Sequence, residues 1–172
     1  MNSKQVKLKE YLYPKMDILF LALNAPEVSN SNGHWFSRNL SFWNLLYDAG
    51  LITERIFAPT EGDIKVFGGN SINLHSMVYG VTDLNRDVVE TDSRLVAITD
   101  IQVQRIVSCL QTSKINKMCI MHSSVTKAFE EAGLIRRNNR LGGNEYGVVG
   151  KINGTIIYEV PFHNATIPGK VI

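Results

Sequence analysis

Chemistry on this chain has to come from a small set of polar and aromatic side chains. Asn24 follows directly on the apolar run Ile18-Leu19-Phe20-Leu21-Ala22-Leu23. Trp35 and Phe36 come after Gly33-His34, at the end of the polar stretch Ser29-Asn30-Ser31-Asn32-Gly33. His122, Ser123 and Ser124 stand where an apolar run gives way to a helical pattern, and Arg136, Arg137, Arg140 and Lys151, set against Glu145, make the one local basic patch. An asparagine amide is neutral and non-basic, so it cannot take a proton, but it can orient a water by hydrogen bonding. On its own, Asn24 reads equally well as a turn residue. A helix N-terminus presents unpaired N–H groups and favours phosphate, although serine there is also an ordinary cap.

Other chemistries are excluded by type or spacing. Cys109 and Cys119 sit in apolar stretches and read as buried reduced thiols. The histidines at 34, 75, 122 and 163 are scattered, with neither a Cys-x-x-Cys nor a His-Glu-x-x-His spacing, so no metal site is expected. The segments Gly68-Gly69-Asn70 and Gly142-Gly143-Asn144 match neither a P-loop nor a dinucleotide fingerprint and read as turns. A Gly-x-Ser-x-Gly elbow is absent, which argues against a serine hydrolase of the α/β type. No cofactor is expected.

The chain has 172 residues, 44% hydrophobic and 20% charged, with a formal net charge of +2. That balance excludes a disordered polyelectrolyte and a histone-like polycation. It leaves room for one domain over residues 1–172 with a sizeable core. The apolar run at 18–23 is far short of the roughly 20 residues that span a bilayer, and residues 1–17 lack the apolar core of a signal peptide. Lys4, Lys7 and Lys9 read as a solvated face. The expectation is a cytoplasmic monomer with no membrane association.

The elements that must position these side chains follow from periodicity. Asp17–Leu23 is a short continuous apolar run, the pattern of a strand buried on both faces; Met77–Leu84 is a second strand candidate and Ile115–Met121 reads as a third, buried strand. Residues 29–33 read as a loop. Ser41 caps a helix with an apolar face of Phe42, Leu45, Leu46 and Ala49, stopped by Gly50. Residues 53–76 read as a short helix or turn and a long loop. Thr99 or Asp100 caps a helix through Val103, Ile106, Val107 and Leu110. Ser123 or Ser124 caps another through Val125, Ala128, Phe129 and Ala132. Residues 136–144 read as a basic loop. Asn153-Gly154 predicts a hairpin between two strands. Strands alternating with helices imply an α/β domain with a mainly parallel sheet, whose ligands bind beyond the strands' carboxyl ends, in the loops beginning at Asn24, Asn85, His122 and Phe162.

Several of these strings together resemble the uracil-DNA glycosylase superfamily, and best its mismatch-specific uracil/thymine-DNA glycosylase-like branch. Ile18-Leu19-Phe20-Leu21-Ala22-Leu23-Asn24-Ala25-Pro26 resembles the first motif. Gly33-His34-Trp35-Phe36 and Phe42-Trp43-Asn44-Leu45-Leu46-Tyr47-Asp48-Ala49-Gly50-Leu51 resemble the aromatic loop and the Phe-Trp helix. Tyr79-Gly80-Val81-Thr82-Asp83-Leu84 is similar to the Gly-Val-Thr-x-Leu strand, and Val160-Pro161-Phe162-His163-Asn164-Ala165-Thr166 falls at the second motif. The resemblance implies a three-layer α/β/α fold around a mainly parallel four-stranded sheet. The chain stops at Ile172 where the family adds a helix, and an N-terminal helix over residues 5–12 would serve as its substitute.

The implied activity is that of a monofunctional DNA glycosylase. It would flip uracil, hypoxanthine or mismatched thymine out of DNA and hydrolyse the N-glycosidic bond. In that reading Asn24 positions the water and His163 donates to the anionic base. Phe36 stacks on the base, with Trp35 as its replacement if the register slips, and Ala25 and Asn164 lie beside it. Ser123, Ser124, Thr166, Arg136, Arg137 and Arg140 contact the DNA backbone. The chain departs from the family where Ala25-Pro26 replaces Pro-Gly, and where His163-Asn164-Ala165 lacks the usual serine and admits a shift that puts Phe162 first. The rival reading is a catalytically degenerate DNA- or nucleotide-binding member of the same superfamily.

Overall fold

The computed structural model describes residues 4–140 and 143–161. Its centre is a five-stranded sheet in the order β2-β1-β3-β7-β6. The strands are β1 (Lys15–Ala22), β2 (Tyr79–Asp83), β3 (Lys114–Ile120), β6 (Gly147–Ile152) and β7 (Thr155–Glu159). β2, β1, β3 and β7 run parallel, and β6 pairs antiparallel with β7 at the edge. The expected count of four strands therefore needs correction. The hairpin places its first strand in the sheet as well, because Asn153 and Gly154 both take positive φ (48° and 85°), the geometry that turns a chain tightly back onto its neighbour.

β1 explains why the run at 18–23 reads as apolar throughout. Leu19 and Leu21 face one cluster with Val103, Ile106 and Leu110 of α4 (Asp100–Thr112) and Val125 and Phe129 of α5 (Ser123–Glu131). Ile18 and Phe20 face the other, with Phe42, Trp43 and Leu46 of α2 (Ser41–Asp48) and Val66 of α3 (Gly62–Val66). Helices thus cover both faces of a strand that has no polar side to expose. The α4 start behaves as expected. Thr99 Oγ1 accepts from Gln102 N–H, and Gln102 Oε1 accepts from Thr99 N–H, a capping box worth about 1 kcal/mol.

Other elements differ from expectation. The polar stretch at 29–33 is not loop: α1 spans Glu27–Asn32, and Asn30 is buried, accepting from Lys7 N–H and donating to Gln5 O. Its polar residues turn inward to hold the N-terminal segment, which hydrophobic periodicity cannot reveal. That segment is not a helix at 5–12. It runs without regular structure until Tyr11 pairs antiparallel with Val81 and extends the β2 edge. On α2 the buried face is Phe42, Trp43 and Leu46, with Leu45 and Ala49 exposed, because burial of the Trp43 indole rotates the helix. Gly62 makes room for that indole; a Cβ built on it runs into the ring. The long segment after α3 contains a single 3-10 turn, Leu74–Ser76. The basic stretch holds two short paired strands, β4 (Asn138–Arg140) and β5 (Gly143–Glu145). Among the described residues, no helix is long and apolar enough to cross a membrane.

Candidate functional site

The carboxyl ends of the parallel strands continue their ladders by a residue or two. Met121 N–H donates to Leu21 O, Leu84 N–H to Ala22 O, Asn85 N–H to Leu23 O and Val160 N–H to Ile120 O. This fixes the ends of the four parallel strands relative to one another. A cavity of about 180 Å³ opens there, with Asn24, Trp35, Phe36, Asp83, Met121 and His122 among its walls and Arg38 and Asn39 also lining it. It is smaller than the roughly 300–1,000 Å³ of drug-sized sites, a size suited to one flat ring system. A second depression of about 310 Å³ shares Thr91, Met121 and His122 with it and continues over Ser123 and Tyr146.

Asn24 is tethered by one end. Its Nδ2 donates to Glu90 O at 2.8 Å and to Ala25 O at 3.2 Å, while among the described residues Oδ1 accepts nothing. The 89–90 segment that holds the amide is itself tied down, since Ala25 bridges Val89 and Glu90 N–H donates to Ala25 O. Ala25 is fully buried in this arrangement and lies behind the wall rather than on it.

The aromatic loop is held by one carboxylate. Asp63, buried on α3, accepts from Trp35 N–H and Ile64 N–H at 3.0 and 2.9 Å, and its Oδ1 lies 3.0 Å from His34 Nδ1. Trp35 donates its indole N–H to Lys9 O at 2.7 Å and is 2% exposed, which makes it core as well as cavity wall. Phe36 takes a positive φ of 51°, a strained conformation for a bulky residue, costing about 1–3 kcal/mol, that persists only when the surroundings enforce it. Its ring stacks on Phe42 with centroids 3.9 Å apart and meets Trp43 edge-on at 5.9 Å. Phe42 and Trp43 thus support Phe36 from the core side.

His122, rather than Ser123 or Ser124, caps α5. Its Nδ1 accepts from Ser124 N–H at 3.1 Å, which puts the proton of the neutral ring on Nε2. Burial pushes the imidazole below its ordinary range, so the ring is neutral at pH 7. Ser123 lines the second depression, whereas Ser124 lies on a separate surface hollow with Lys127. Arg137 is held in a bidentate pair by the buried Glu159 of β7, its Nε at 3.1 Å from Oε2. Arg136 is exposed and donates its backbone N–H to Val149 O. Arg140 lies on β4, with its side chain outside the described part. His163, Asn164 and Thr166 also lie outside the described residues.

Asp83, Arg38, Asn39 and Glu90 are wall residues that sequence reasoning did not single out, and His122 was read there only as a strand-to-helix junction residue. The signal for Asp83 was present: an acid ending an apolar strand on the ligand side of a parallel sheet. Asp83 is fully buried, and burial pushes its carboxyl up to about 7 against the opposing pull of Arg86. No family model matches this chain, and no curated protein matches it.

Proposed function

We propose that this protein is a monofunctional DNA glycosylase of the uracil-DNA glycosylase type, acting on a deaminated base. The observation that carries the reading is the pairing, in one small cavity, of Asn24 with Phe36. Asn24 has its amide nitrogen anchored and, among the described residues, its oxygen unengaged, and Phe36 is a ring held in a strained backbone. Removing a base leaves an oxocarbenium-like sugar and an anionic base. Asn24 Oδ1 accepts a hydrogen bond from the attacking water and orients it, but takes no proton. The rate then rests on holding the leaving base against Phe36 and on neutral donors near its oxygens. By the resemblance, His163 is the donor that would serve there. The four parallel strands and the helices on both sheet faces support the matching architecture. DNA carrying the lesion would lie across the mouth, with Arg38 and Arg136 as exposed cations for its phosphates.

The test is a panel of oligonucleotides carrying uracil, hypoxanthine or mismatched thymine, scored for base release. Release from at least one is expected, with Asn24→Ala reducing it by roughly a thousandfold or more, the scale of losing an aligned reactant. Phe36→Ala should weaken capture; full activity in that variant would remove the stacking assignment. Binding to lesion DNA without release by the wild-type protein would favour the degenerate binding module instead.

A further inference from the structure

The helix layer over the α2–α3 side of the sheet ends part-way across it. Its cluster takes Tyr79 and Val81 from β2 and Ile18 and Phe20 from β1, but only Cys119 from β3 and no residue from within β6 or β7. Ile156 and Tyr158 of β7 point to this side, because Ile157 between them lies in the opposite cluster. Both are part-buried and belong to neither cluster. Register places cations around them. Lys117 of β3 and Lys151 of β6 both pair with Ile156 and flank it, two strand spacings or about 10 Å apart. At the amino ends of the strands, Lys15 of β1 pairs with Lys114 of β3. Met16 and Ile115, the residues after them, turn into the opposite cluster, so these lysines also lie on the α2–α3 side. All four lysines are exposed. Among the described residues the lysines in ion pairs are Lys4, Lys65 and Lys127, and none of these four. Asp17, the acid beside them in β1, is engaged by Val78 N–H and Asn116 Nδ2. Like charges set opposite one another on neighbouring strands are destabilising, and an anion between Lys15 and Lys114 would relieve that cost. Val160, two residues beyond Tyr158 on the same side, lines the depression that adjoins the cavity.

We propose that this side of the sheet binds single-stranded nucleic acid, with phosphates on Lys15, Lys114, Lys117 and Lys151 and a base against Ile156 and Tyr158. Regularly spaced negative charge answers four exposed cations that have no acid of their own. A flat ring answers the apolar and aromatic floor between them, as in sheets and grooves that carry single strands. A duplex keeps its bases stacked inside and would offer this floor only its backbone. An acidic polypeptide would bring charge without a ring to stack. Binding of this kind rests on counterion release, so it is indifferent to sequence and weakens with salt. It goes beyond the reaction at the cavity and needs no damaged base.

The experiment is fluorescence anisotropy with a labelled oligothymidylate, titrated at several salt concentrations. The wild-type protein should bind it, and Lys117→Gln/Lys151→Gln should bind at least about tenfold more weakly at low salt. In that double variant the slope of log affinity against log salt should flatten by about 1.4, or about 0.7 for each phosphate contact removed. Tyr158→Leu keeps an apolar side chain and loses the ring; it should weaken binding about fivefold or more, the worth of one stacked base. Lys65→Gln/Lys127→Gln removes the same charge from lysines elsewhere and should keep the wild-type affinity. Four results would overturn the proposal: no binding by the wild-type protein, an equal loss in the Lys65/Lys127 control, tighter binding of a duplex of the same length, or equal binding of polyglutamate. The oligonucleotide carries no damaged base, so failure here leaves the glycosylase reading standing, and failure of that reading leaves this surface standing.

Discussion

Two carboxylates are buried on the same side of the sheet, and they are treated in opposite ways. Asp63 receives two backbone N–H donors and the His34 ring, so every contact it makes pins the aromatic loop. Asp83 has one guanidinium at 3.4 Å and an orphaned oxygen. Ionised carboxylates buried with full hydrogen bonding act as staples, whereas one left half satisfied holds unspent interaction energy. The difference separates a satisfied carboxylate from an unsatisfied one: Asp63 builds the wall that carries Phe36, and Asp83 is sealed behind the cavity with one oxygen lacking a donor.

The largest effect should come from breaking the satisfied one. Asp63→Ala leaves two buried N–H groups and a histidine without their acceptor, and should cost about 3–5 kcal/mol in urea unfolding. A loss below about 1 kcal/mol would mean that the loop is held from elsewhere. Asp83→Asn should behave differently. The folded-state carboxyl range of Asp83, about 7, lies above the unfolded value of about 4, so between these limits the folded protein binds the proton more tightly. Its contribution is therefore fully present below pH ~4, is lost as pH rises to about 7, and is constant above that. Melting temperatures of the wild-type protein and Asp83→Asn across pH 4–8 should diverge in this window, the variant gaining relative stability as pH rises. Parallel curves would contradict the burial of an ionisable group there.

Arg86→Met sharpens the same contrast. It removes the one counter-charge on Oδ2 and the donor to Leu8 O, so the Asp83 titration should move further upward and stability at pH 8 should fall by about 1–3 kcal/mol. Both are measurable from the pH dependence of unfolding. The smallest effect is expected from His34→Ala, whose ring is part-exposed and leaves Asp63 its two backbone donors; about 0.5–1.5 kcal/mol is expected in the same unfolding assay.

β1 was legible because helices cover both its faces and a strand without a wet face must be written in apolar residues, whereas β3 keeps Asn116 and Lys117 exposed among its buried Ile115, Met118 and Ile120. The position of Asn24 followed from that, since the residue after such a run lies on the ligand side. α1 was not legible, because Asn30 and Ser29 bury their polar groups against the N-terminal segment and against Ser37, which imitates a loop in one dimension. Trp35 and Phe36 were recognisable as an aromatic pair. That Trp35 is fastened to Lys9 O while Phe36 carries the strained backbone depends on Asp63, far away in the chain.

Residue order by itself determined the alternation of strands and helices, the hairpin at Asn153-Gly154 and a helix start at Thr99 or Asp100, because each depends on neighbours a few residues apart. Only the tertiary structure decided which polar groups are satisfied. Among the described residues, Asn24 Oδ1 has no donor while Glu90 O takes the amide nitrogen, and Asp83 Oδ1 has none because Arg86 and Arg105 divide their donors among Glu10, Leu8 O, Thr82, the Asp83 carbonyl and Oδ2. Hydrogen-bond partners drawn from distant segments leave no period in a sequence, so the unpaired atom at a site is a property of the fold.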